Sequence, residues 1–507
     1  MNPGGPHRSR NNAFGCAVAG VLIALAWMPV SPALAFDQQD LDSCANKDAA
    51  PDLRIKGCTA LIQSGKLSGN YLAAAHWDRG VAHTKRRDFD NAITDLDEAI
   101  RLEPQAAAAY DDRGFAYAGK GDLDRAIADY NESIRLDPKV ARPYNNRGYA
   151  YYGKHDLDRA IADFDEAIRL NPRYGLALRN RGFAYVGKRE YDRAIADFGA
   201  ALRLDPKDVA ALNDRGSAYK EKGDIDRAIA DFDAAVKIHP RLPVTYTNRC
   251  SAYDKKGDFD RAIADCSEAI RLGPSEQAKS KEERAIAAGA YVNRGRAEQA
   301  KGEDDSAIAD YDEAIRLLPF APIYLYRASA YFAKRDYTHA IADYDLLVRA
   351  EKSPGLAVIY FYRGLANLYS GADAKAVADL SRANELLPKS PYYAVWLEIA
   401  DKRSNLPSRL AETAKQTDLS KWPGPIVRLY LGQSTPAELL AAADGPNAET
   451  KRVRTCQADF YIGELMRQRG NTDDATRLFR SVVADCPKRQ DEWLDANAEL
   501  GAIGTNP

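Results

Sequence analysis

The chain has 507 residues, 28% of them charged and 45% hydrophobic, with 71 basic against 73 acidic residues and a formal net charge of -2. Acidic and basic residues alternate closely and no basic tract occurs, so nucleic acid has no electrostatic footprint here. Beyond the N-terminus no segment is long and apolar enough to cross a bilayer, which excludes a membrane span in the mature chain.

Arg8 and Arg10 precede an apolar run from Phe14 to Trp27, followed by Pro29, Pro32 and Ala33-Leu34-Ala35 before the polar Asp37. That order predicts a secretory signal peptide over residues 1–35, cleaved after Ala35, and a periplasmic or secreted mature chain. An uncleaved anchor is the alternative. Cys16 lies inside the apolar run and no cysteine directly follows the cleavage site, so lipid attachment is not supported. Removing Arg8 and Arg10 moves the charge from -2 to -4.

Residues 36–72 read as an N-terminal helical cap, with Cys44 and Cys58 placed to staple it. From Ala73 the dipeptide Arg79-Gly80 returns every 34 residues, as Arg113-Gly114, Arg147-Gly148, Arg181-Gly182, Arg215-Gly216 and Arg249-Cys250. Counted from Ala141 as position 1, Tyr144, Gly148 and Tyr151 lie on one helical face and Ala160, Phe164 and Ala167 on a second. Asp156 is a natural N-cap for the second helix, with Asp158 in its first turn, and Asn171-Pro172 ends it. Two antiparallel helices meet closely at positions 8 and 20, where the residues are small.

These residues resemble the tetratricopeptide repeat pattern. The resemblance implies an all-α, right-handed superhelical solenoid of antiparallel helix pairs, nine units over 73–390, with a helical C-terminal capping region. Between units 6 and 7 stand eleven additional residues, Gln277 to Ala287. Eleven residues make three helical turns with little phase drift, so they are expected to extend the first helix of unit 7 back to about Ser275. A flexible loop is the alternative.

Arg occupies position 7 and Asp position 23 in all nine units, from Arg79 and Asp95 to Arg363 and Asp379. The two positions lie within about a turn of each other in a hairpin, which predicts a structural Arg/Asp ladder; ligand binding by these arginines is the competing reading.

Six cysteines of the mature chain form three local pairs, Cys44/Cys58, Cys250/Cys266 and Cys456/Cys486. Export favours disulfides in all three, although Cys250 and Cys266 could instead fill the core of unit 6. His76 and His83 take tyrosine positions of unit 1 and read as core filling. The Asp-x-Asp pairs recur once per unit as caps. No metal site, cofactor pattern or nucleophile motif stands out, so a non-enzymatic protein without cofactor is expected.

In the family the first helices line a concave groove, at positions 2, 5, 6, 9, 12 and 13. Carried onto this chain, that groove contains Trp77 in unit 1, Asp112 and Phe115 in unit 2, and Arg142, Asn145, Asn146, Tyr149 and Tyr152 in unit 3. Arg179, Asn180 and Phe183 follow in unit 4, then Asn213, Asn248 and Asn293. Asparagine recurs at position 6, and an amide can donate to and accept from an extended peptide's backbone at once. The expected partner is therefore a protein or extended peptide, held by a scaffold or adaptor.

Residues 391–507 are helical by pattern, with a degenerate tenth unit over 456–489 that keeps Gly463, Ala475, Phe479 and Pro487. Trp422-Pro423-Gly424-Pro425, Ile426 to Leu431, Gln433-Ser434-Thr435-Pro436 and Phe460-Tyr461-Ile462-Gly463-Glu464 resemble the C-terminal part of NlpI-type periplasmic adaptors. That resemblance implies an adaptor for envelope peptidases or peptidoglycan hydrolases, often a homodimer. A self-assembling structural protein using Trp396, Trp422 or Trp493 as contacts is the other alternative, and an enzyme hidden in this region is disfavoured by its lack of histidine.

Overall fold

The computed structural model describes residues 37–273, 280–350, 355–488 and 491–504, and among these the regular elements are all helices. The signal-peptide reading of residues 1–35 lies outside the described residues. The chain divides into two compact parts, Met1–Asp231 and Phe232–Pro507.

The first part opens with the hairpin Gln38–Ala45 and Pro51–Gln63, whose Cys44 and Cys58 are bonded with Cα atoms 4.7 Å apart. Helix pairs follow: Asn70–Lys85 with Phe89–Leu102, Ala107–Gly119 with Leu123–Leu136, Ala141–Gly153 with Leu157–Leu170, and Gly175–Gly187 with Tyr191–Leu204. Val209–Lys222 begins a fifth pair. Each break is set by position 15, where the backbone turns left-handed, as at His155 (φ 61°) and Gly223 (φ 93°). Asp156 then caps the next helix by accepting from the Arg159 amide at 3.1 Å. Its neighbour Asp158 does something else: Lys188 of the following unit donates to it at 2.7 Å.

The small residue at position 8 is required by distance. A Cβ on Gly148 would stand 2.8 Å from the Phe164 ring and 3.1 Å from the Ala160 carbonyl oxygen. Phe164 and Ala160 are fully buried, so neither can give way cheaply.

The Arg/Asp ladder forms in every unit. Arg147 Nε and Nη2 donate to Asp163 Oδ2 and Oδ1 at 2.8 and 2.6 Å, closing a planar fork across the hairpin. The same two bonds recur from Arg79 to Asp95 through to Arg363 and Asp379. The third nitrogen reaches back a unit: Arg147 Nη1 donates to Asn131 at 2.6 Å and Arg113 Nη1 to Asp97 at 2.7 Å. One guanidinium thus joins both helices of its own hairpin to the second helix of the preceding one. Unit 4 has Gly199 at the position of Asn131, and a Cβ there would lie 3.7 Å from Arg215 Nη1 without a clash. Gly199→Asp should therefore complete the contact and remove a helical glycine, raising stability by about 1 kcal/mol. A urea midpoint unchanged or lowered would contradict this.

In the second part, Pro243–Lys256 pairs with Phe259–Leu272, Lys281–Lys301 with Asp304–Leu317, Ala321–Ala333 with Tyr337–Ala350, and Leu356–Tyr369 with Asp373–Leu386. Cys250 and Cys266 are bonded inside unit 6, Cα atoms 5.5 Å apart, where units 2, 3, 4 and 7 place glycine against an aromatic ring. The first helix of unit 7 is extended backwards, but it begins at Lys281 rather than near Ser275. Ser280 is extended (φ -96°, ψ 152°), and its hydroxyl and the Glu283 carboxylate cap each other's backbone amides, which fixes the start. Of the inserted residues, 277–279 lie outside the described ones.

The C-terminal region comprises Pro391–Arg403, Leu410–Thr413, Gly424–Tyr430, Pro436–Ala442, Ala448–Gln468, Thr472–Asp485 and Asp491–Ala502. Trp396 is buried in its core, so it is no surface contact point for self-assembly. Trp422 donates to Gln457 at 2.7 Å and Trp493 to the Val483 carbonyl at 3.0 Å. Cys456 and Cys486 are bonded with Cα atoms 5.9 Å apart, tying Ala448–Gln468 to the end of Thr472–Asp485.

Candidate functional site

In units 1 to 5, positions 5 and 6 of the first helices meet between consecutive units. Trp77 Nε1 donates to Asp112 at 2.7 Å, Asn146 Nδ2 to Asp111 at 2.9 Å, and Asn180 Nδ2 to Asn145 Oδ1 at 2.9 Å. Arg179 then donates to Asp214 at 3.0 and 2.7 Å. Every one of these links joins position 5 of one unit to position 6 of the next. Arg142 spans two of them, bonding Asp111 through Nε and Asp112 through Nη2, the latter at 2.8 Å. At the N-terminal end the buried Arg54 continues the row by donating to Asp78 at 2.6 Å.

This seam changes the role of the asparagines. Asn145 and Asn213 are buried, and Asn213 donates to the Val209 carbonyl at 2.9 Å, so neither faces a ligand. Asn146 and Asn180 are half-buried, with an amide nitrogen of each already committed to the neighbouring unit. The asparagines of units 3 and 4 thus serve the stack first, and Asn146 and Asn180 keep only part of their hydrogen-bonding capacity for a peptide. Burial pushes the Asp214 carboxyl up to about 6 against the pull of Arg179, and does the same to Asp78 against Arg54. Both carboxylates belong to the stack.

What stays open on this face is aromatic and cationic. Tyr149 is exposed and stacks on Tyr152, ring centroids 6.4 Å apart, while Arg142 keeps 45% of its side chain in solvent above its two aspartates. Phe183 is turned edge-on to the buried Phe198 at 5.5 Å and contributes to packing. Trp77, Asp112, Phe115 and Arg179 are half-buried along the same seam. Asn248 and Asn293 are half-buried in the second part, on the first helices of units 6 and 7.

Repeat-family models match residues 119–155, 141–174, 182–243, 249–322, 292–357 and 457–489. These are tetratricopeptide repeats. Among solved structures the chain is similar to a tetratricopeptide repeat protein from Parabacteroides merdae, 23% identical over 51% of this chain and 98% of that one, at a TM-score of 0.42. It is also similar to MamA, 27% identical over 32% of this chain and 94% of that one at 0.30. YrrB, described as a TPR protein with an unusual peptide-binding site, is 23% identical over 36% and 93% at 0.31.

In TPR terms the chain puts polar residues at both seam positions of the first helices in units 2 and 3. The match at 457–489 falls on the degenerate tenth unit, where a Cβ on Gly463 would stand 2.8 Å from the Phe479 ring, as Gly148 stands to Phe164. His76 and His83 of the first TPR line up on acidic partners, His76 Nδ1 lying 2.9 Å from Asp95 and His83 Nδ1 3.1 Å from Asp88. Among the described residues no group of three or more His, Cys, Asp or Glu side chains is arranged to hold a metal ion.

Proposed function

We propose that the chain is an exported, non-catalytic scaffold that binds a protein or an extended peptide on the first-helix face of units 2 to 5. The observation that carries this is the exposed Tyr149, stacked on the half-buried Tyr152 on the same helix as the half-exposed Arg142, whose seam ties that helix to its neighbours. A rigid aromatic platform binds with little ordering cost, which is where peptide-binding repeats derive affinity. Aromatic stacking would hold a ligand side chain, and the half-exposed guanidinium would hold a carbonyl or carboxylate. Export is supported by three cysteine pairs at bonding distance, since such pairs persist in oxidising compartments. The test is capture of partners by the mature chain and by Tyr149→Ala/Tyr152→Ala. The double variant is expected to bind at least about tenfold more weakly; equal affinity for the captured partner would remove this face from the account.

A further inference from the structure

The last helix, Asp491–Ala502, lies against the first-helix face of the C-terminal half. Tyr362, at position 6 of unit 9, donates to Asp491 at 3.0 Å. The Arg335 guanidinium of unit 8 packs on Gly501, where a Cβ would come within 2.3 Å of it, placing a cation at the helix's C-terminal end. Ala496 and Leu500 are fully buried in the common core. What enters with them is unusual for a buried face: Glu492, Asp495 and Glu499 are all buried, the last completely.

We propose that the first-helix face of units 8 and 9, continued by Pro391–Arg403 and Ala448–Gln468, is a binding groove for an acidic amphipathic helix. Asp491–Ala502 fills it in cis, and a partner helix with carboxylates at the same four-residue spacing displaces it. The spacing is Asp491, Asp495 and Glu499, alongside the apolar pair Ala496 and Leu500.

The guanidiniums set the class of occupant: a helix without carboxylates would leave Arg403 and Arg467 sharing Glu464 alone. Arg403 donates to Glu464 at 2.8 Å and also to Glu499, and Arg467 Nε lies 3.3 Å from Glu499. Pairing is incomplete: Arg403 Nε, Arg467 Nε, Glu464 Oε1 and Glu499 Oε2 are buried without a hydrogen bond. Among the described residues, tyrosines make up the rest of the titratable surroundings. Leu356–Tyr369 supplies Tyr362 and Tyr369, and unit 8 supplies Tyr337 and Tyr344. Pro391–Arg403 supplies Tyr392 and Tyr393, and Tyr430 and Tyr461 complete the ring. Gln457 donates to Glu492 at 2.9 Å. Among the described residues three guanidiniums thus face five carboxylates, counting Glu464.

Burial pushes the Glu492 carboxyl up to about 7, lifts Glu499 as well, and raises Asp495 well above the ordinary range beside four other acids. The docked helix therefore holds more protons than the released one. The stability that these protons add to docking is fully present below the ordinary carboxylate pKa, and is lost as pH rises through about 7. From pH 6 to pH 8 the docking constant should fall about tenfold for each carboxylate that titrates near 7.

The full chain tests this by amide exchange, corrected for intrinsic rate, over residues 491–502. Protection is expected at pH 6 and an at least tenfold loss at pH 8, with Thr472–Asp485 unchanged. A labelled peptide of residues 491–504 should bind the full chain carrying Leu500→Asp at pH 6 and bind the wild type undetectably, and the peptide with Asp495→Asn and Glu499→Gln should lose the pH dependence. Should the variant fail to fold, the wild-type exchange profile decides alone. Exchange of 491–502 at free-peptide rates at pH 6, a folded Leu500→Asp chain that does not bind the peptide, or release accompanied by dimers in light scattering would overturn the proposal.

Discussion

Arg147→Leu should destabilise the protein by about 3–5 kcal/mol, and Arg147→Leu/Asp163→Leu should recover most of that loss. The single substitution strands Asp163, whose side chain is only 9% exposed, without the fork that holds both its oxygens. The double substitution leaves no buried charge at the hairpin and puts an aliphatic residue where tetratricopeptide repeats usually carry one. Asn131 loses its bond to Arg147 Nη1 in either variant, but it is exposed and water replaces the donor. Urea unfolding of wild type, both single variants and the double variant gives the cycle. Losses under about 1 kcal/mol for each single change would mean the forks behave as surface ion pairs, and the ladder would no longer be the frame.

The second large effect is expected in unit 6. In units 2, 3, 4 and 7 position 8 is glycine because an aromatic ring fills the space in front of it; here Cys250 and Cys266 replace both members and are bonded across 16 residues of chain. Cys250→Ala/Cys266→Ala should cost about 3 kcal/mol, the order expected for opening a loop of this length and leaving a void. Cys250→Gly/Cys266→Phe restores the pairing used by Gly148 and Phe164, and should retain most of the wild-type stability in the presence of reductant. Thermal melts of the three proteins read the difference. A Cys250→Gly/Cys266→Phe chain no more stable than the alanine pair would show that unit 6 does not accept the packing of its neighbours.

What could be read in the sequence was whatever repeats once per unit. Gly148 opposite Ala160 and Phe164, the break before Asp156, and the partnership of Arg147 with Asp163 all lie within one hairpin, so period and helical geometry suffice to place them. Contacts between units depend on the rise and twist from one hairpin to the next, which a repeat pattern does not encode. The groove position of Asn146 gives no hint that the step of 35 residues also brings it onto Asp111. Asp158, read as a cap, answers to Lys188 for the same reason. The docking of Asp491–Ala502 was not legible either, although its signal was present: carboxylates spaced by four on the face that also carries Ala496 and Leu500. The start at Lys281 was available too, in Ser280 and Glu283 at capping-box spacing.

The most direct test of the division between frame and binding face adds Arg147→Leu/Asp163→Leu to the partner capture. If the ladder is scaffold and the Tyr149–Tyr152 face binds, the ladder double variant retains the wild-type partners while Tyr149→Ala/Tyr152→Ala loses them. Retention by the tyrosine variant together with loss by a folded ladder variant would assign binding to the arginines and contradict the account.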